Sequence, residues 1–107
     1  MRSLIFVMAL WAVGQAQAAD RAAEGRALVE RNCARCHAIG RMDESPNDEA
    51  PPFRRLHKRY PIESLAEAFA EGIVVGHKDM PAFEFSPQEI DALVAYINSL
   101  GEGRKAR

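Results

Sequence analysis

Cys33-Ala34-Arg35-Cys36-His37 constrains this chain more than any other stretch. It holds the chain's only two cysteines, two residues apart, with a histidine directly after the second. Cys-x-x-Cys-His is the spacing of covalent c-type haem attachment. The order matters chemically. Each thiol adds to one vinyl group of the porphyrin, and the histidine is then held beneath the iron as a proximal ligand. Other uses of a cysteine pair fit less well. A disulfide across two residues closes too small a loop to cross-link a fold usefully. A thioredoxin-like pair asks for a preceding strand and a βαβ context, and the sequence shows neither. A structural zinc site needs four ligands, and beyond the motif only His57 and His77 remain to help. With 107 residues and only 7% aromatics, the chain is one small domain that builds little core from side chains alone. A buried porphyrin would therefore be a folding element as well as a functional one.

Residues 1–18 read as a secretory signal peptide. Arg2 gives a positive start, Leu4 to Val13 an apolar stretch, and Ala16-Gln17-Ala18 a cleavage site. The apolar run is about half of the ~20 residues a membrane span needs, and Gln15 and Gln17 interrupt its end. The expected mature domain is 19–107. Loss of Arg2 leaves 13 basic against 15 acidic residues, a slightly acidic balance that gives no reason to expect nucleic acid.

The first helix is expected over Asp20 to Asn32, with Asp20 as its N-cap. Gly25 is the anomaly inside it, because a mid-helix glycine costs about 0.5–1 kcal/mol relative to alanine. Close approach of another helix would explain it. Ile39 to Ala50 has loop composition. In Ala50-Pro51-Pro52-Phe53 the prolines lack amide donors but keep their carbonyls. Either the Pro51 or the Pro52 carbonyl could accept the second ring N–H of the haem-ligating histidine, with Phe53 packed nearby. Arg54, Arg55, Lys58 and Arg59 surround His57, as a solvated face or as partners for a propionate or an acidic surface.

A second helix is expected from Pro61 to Glu71, stopped by Gly72. Met80 then lies on a loop bracketed by glycines and Pro81. An iron with one histidine needs a sixth ligand or an open position, and a loop methionine would favour electron transfer over oxygen chemistry. Met42 and His57 are rivals, although Met42 is too close to His37 to reach the opposite face. His77, three residues from Met80, leaves a bis-histidine site open. The last helix carries a Ser86–Glu89 capping box and Pro87 in its first turn. Ile90, Leu93, Val94 and Ile97 share one face, with Tyr96 and Leu100 beside it, and Gly101 ends it.

Taken together, the chain resembles the class I c-type cytochromes, specifically small bacterial monohaem ones, from Asp20 to Leu100. The resemblance implies an all-α cytochrome c fold, three or more helices packed around a covalently attached haem, with the terminal helices crossing near a right angle. It implies Cys33 and Cys36 as thioether cysteines, His37 as proximal and Met80 as distal iron ligand, and Pro51 as the carbonyl orienting the histidine. Gly25 would sit at the helix crossing against Leu93 and Tyr96. Val29 stands where the family often has an aromatic, so that side of the crossing is expected to pack less fully.

The function implied is a soluble periplasmic electron carrier, not an enzyme, with one haem c and its iron as cofactors. In bacteria, holocytochrome c assembly takes place outside the inner membrane, which fits the leader. Redox proteins are the expected partners, met as a monomer or as a subunit of a redox complex, with no membrane span after cleavage. A small subunit of a periplasmic dehydrogenase or oxidase, and a haem sensor or peroxidase with a labile sixth ligand, are the alternatives. Near Met80 the ionisable residues are His77, Lys78, Asp79 and Glu84, which form no organised acid–base set.

Overall fold

The computed structural model describes residues 2–59, 61–72 and 80–101, with side chains from residue 17 onward. Among these residues the chain is helical and has no strand: α1 (Arg2–Asn32), a 3₁₀ helix (Phe53–Lys58), α2 (Glu63–Ala70) and α3 (Pro87–Leu100). No helix among them is long and apolar enough to cross a membrane.

The last helix forms as its sequence dictates. Ser86 is extended, its hydroxyl accepts from the Glu89 N–H at 3.1 Å, and the Glu89 carboxylate accepts from the Ser86 N–H at 2.9 Å. Two otherwise unpaired amide donors are thereby satisfied. Ser86→Ala is expected to cost about 1 kcal/mol, lowering the melting temperature by several degrees. A thermal melt that shows no change would mean that water replaces the cap without cost. The helix buries Ile90, Ala92, Leu93, Tyr96, Ile97 and Leu100, while Val94 is half-buried against them.

α1 departs from expectation at its start. It runs unbroken through Asp20, which therefore lies inside the helix and does not cap it. No proline interrupts Arg2 to Asn32, and Ala18, Ala19, Ala22 and Ala23 lie around Asp20, so a helix begun upstream propagates through it. Its end is where the sequence places it. The Asn32 side-chain amide donates to the Leu28 carbonyl at 2.8 Å, satisfying a last-turn acceptor.

α1 and α3 cross at Gly25. A Cβ built there would lie 1.9 Å from the Ala92 carbonyl oxygen and 2.8 Å from the Tyr96 Cβ. The nearest atoms of α3 are thus the Ala92 backbone and the Tyr96 side chain, at the position the sequence places against Leu93 and Tyr96. Val29, on that side of the crossing, is fully buried.

α2 is shorter than the sequence suggests. Ser64 and Leu65 donate to the carbonyls of Pro61 and Ile62, so a tight turn leads into it. It ends at Gly72, whose φ of +82° is the left-handed conformation glycine adopts without strain. One core joins Leu28 and Val29 of α1, Phe53 and Leu56 of the 3₁₀ helix, Ile62, Leu65 of α2 and the buried face of α3.

Candidate functional site

The motif begins where α1 stops. The Cys33 and Ala34 N–H groups still donate to the Val29 carbonyl, at 2.8 and 3.0 Å. The next turn is tighter, with Cys36 and His37 both donating to the Cys33 carbonyl, at 3.1 and 2.9 Å. One turn therefore carries both thiols and the imidazole. All three side chains are half-buried, and the cysteines are unbridged. Burial pushes the Cys33 thiol up to about 11, so at neutral pH it is a thiol and not a thiolate.

The loop after His37 returns the chain to the motif. The Ala38 N–H donates to the Ser45 hydroxyl, Asn47 N–H to the Cys36 carbonyl, and Phe53 N–H to the Ala38 carbonyl. Asp43 receives the Gly40 and Ile39 N–H groups, and its own carbonyl accepts from Arg54 at 2.6 Å. Tyr96 O–H donates to the Ile39 carbonyl and the Arg41 guanidinium to the Ser99 carbonyl, tying the loop to α3. Arg54 is therefore neither a solvated cation nor a free one, with only 12% of its side chain exposed.

This return brings Pro51 to His37. The His37 Nδ1–H donates to the Pro51 carbonyl at 2.8 Å. A carbonyl only accepts, so Nδ1 carries the proton and, in the neutral imidazole, Nε2 keeps its lone pair. The Pro52 carbonyl instead accepts from the Arg55 N–H in the 3₁₀ helix, at 3.0 Å. Phe53 sits against the imidazole, with ring centroids 4.9 Å apart and planes tilted by 41°. The ring is thus fixed in both tautomer and orientation.

The sixth-ligand candidates separate by exposure. Met42 is 92% exposed on the loop tip, unsuited to an enclosed iron. Met80 is half-buried at the head of the segment leading to α3. His77, Lys78 and Asp79 lie outside the described residues. The Nδ1 of His57 is buried without a hydrogen-bond partner, the only such side-chain atom among the described residues. The 3₁₀ helix carrying His57 escaped sequence reading, since its bonds depend on the Pro52 and Leu56 carbonyls and not on a hydrophobic period.

The donor set suits a covalent haem c: two unbridged thiols for the vinyl groups and one oriented imidazole with a free lone pair for iron. A family model described as Cytochrome c matches residues 22–101. No curated protein and no solved structure matches.

Proposed function

We propose that this chain, which belongs to the cytochrome c family, is a periplasmic carrier of single electrons on a haem c held by Cys33, Cys36, His37 and Met80. Haem binding and electron transfer are family properties, and members generally carry electrons without catalysing a reaction of their own. When bound, haem c supplies an iron that cycles between ferric and ferrous states. The chain's residues do the rest. Cys33 and Cys36 hold the group covalently, and His37 presents Nε2 in an orientation fixed by Pro51 and Phe53. The acceptor on Nδ1 also holds the ring so that Nε2 faces outward as a ligand. Met80 supplies a thioether, which raises the reduction potential and favours electron transfer.

The hydrogen bond from His37 to Pro51 carries this reading. A part-buried carbonyl that orients the ring is what an iron-ligating histidine requires. Residues 1–18 direct export and 19–107 form the mature domain, in keeping with the extracytoplasmic location typical of cytochrome c domains. Partners are redox proteins met through small, short-lived interfaces.

The ferric spectrum of the holoprotein tests the ligands. A low-spin spectrum with the weak far-red sulfur-to-iron band is expected. Met80→Ala should abolish that band and open the ferrous iron to carbon monoxide. A low-spin spectrum without the band would move the assignment to His77, and a high-spin spectrum would overturn the carrier reading.

A further inference from the structure

Between Met80 and Ser86 the chain has no regular secondary structure, and no backbone hydrogen bond ties Met80–Phe85 to another described residue. Aromatic packing holds it instead. The Phe85 ring meets Phe69 of α2 edge-on, with centroids 5.6 Å apart and planes at 79°. The same ring stacks on Phe83, with centroids 5.5 Å apart and planes at 19°. Both arrangements are ones that aromatic quadrupoles favour. Phe69 and Phe85 also pack against the main core. A line of three rings therefore runs from α2 to a point three residues beyond Met80. Pro81, the first link between Phe83 and Met80, has a fixed φ, and three residues span at most ~10 Å. How far Met80 can move depends on how firmly Phe83 is held.

We propose that Phe69, Phe85 and Phe83 form an aromatic clamp that positions Met80 as sixth ligand and sets how readily another ligand displaces it. The proposal rests on the assignment of Met80 made above. The rings are positioning residues, acting through the short chain between Phe83 and Met80. An added ligand binds iron only in the fraction of molecules whose methionine has swung away, so its apparent affinity measures that fraction. Ordinary core packing would not behave this way. It would change the stability of the whole domain without selectively changing methionine release.

Imidazole titration of the ferric holoprotein, followed by loss of the far-red sulfur-to-iron band, separates the two. Phe85→Leu keeps apolar volume but breaks both ring pairs, and should raise the apparent imidazole affinity about tenfold. Phe83→Leu breaks one pair and should raise it about threefold, which keeps the test available if Phe85→Leu does not fold. Ile97→Val, a core change in α3, should lower thermal stability but leave imidazole affinity within twofold of wild type. Phenylalanine variants within twofold of wild type would overturn the clamp, as would an Ile97→Val affinity shift matching theirs. A wild-type protein lacking the band fails at the earlier step. Met80 would then not be the ligand, and the clamp would fall with it.

Discussion

Gly25→Ala is expected to cost the fold about 3 kcal/mol or more, the upper end of what overpacking does in a well-packed interior. The melting temperature should fall by on the order of 15 °C for a domain this small. Two opposed effects meet at this position. Alanine is the better helix former, by about 0.5–1 kcal/mol. Its methyl, however, would stand 1.9 Å from the Ala92 carbonyl oxygen and 2.6 Å from the Ala92 carbonyl carbon. Those are backbone atoms of α3, so no side-chain rotation relieves the clash. The helices must separate, and separation also loosens the contacts of Leu28, Val29 and Tyr96 in the core. The steric effect wins.

Ala23→Gly gives the comparison. Ala23 is exposed on the same helix, so its loss should be limited to the propensity difference, about 1 kcal/mol or less. Chemical denaturation of the three holoproteins would read both values. A Gly25→Ala protein as stable as wild type would mean that the helices cross further apart than described.

Gly25 also illustrates what the sequence could show. A glycine in an otherwise good helix signals a close approach, but not which atoms approach. The resemblance placed Leu93 and Tyr96 there, and the structure adds that the closest atoms are those of the Ala92 backbone. Val29, smaller than the aromatic the resemblance leads one to expect, is nonetheless fully buried in the core.

Local signals were reliable where the physics is local. The Ser86 cap, Pro87 and the spacing of Ile90, Leu93 and Ile97 define α3 from its own residues, and Gly72 ends α2 for a reason internal to the turn. Ile39 to Ala50 was not legible. Its composition says loop, but its course is fixed by Tyr96 and Arg41 bonds that span 57 and 58 residues. The site divides along the same line. Cys33, Cys36 and His37 are a contiguous motif and are legible at once. Choosing between the Pro51 and Pro52 carbonyls needs the course of the returning loop, which brings Pro51 to His37 and which only the folded chain shows.

The second large effect is expected from Cys33→Ser/Cys36→Ser. The double variant should carry no covalent haem, so a denaturing gel stained for haem should show none at its molecular mass. It should also lose most of its helical circular dichroism at physiological temperature. That is a loss comparable to the whole folding stability of a small domain, on the order of 5 kcal/mol or more. The side-chain core is the reason. Among the described residues it is a single cluster of eleven buried residues, to which α2 contributes only Leu65 as a buried side chain. Of these described residues, only Leu93 and Val29 among the larger members are fully enclosed. Domains of this size ordinarily need a cross-link, a metal or a cofactor to offset chain entropy. Here two thioether bonds and the His37 coordination would anchor α1's end, the Pro51 loop and the Met80 segment to one rigid body. Without the thioethers, His37 is left with a reversible bond to a group that can leave. Single variants should fall between, each keeping one thioether and part of the stability. A double variant that retained wild-type helicity and a cooperative melt without haem would show that the side-chain core suffices. The haem would then be a passenger on the fold and not part of its core.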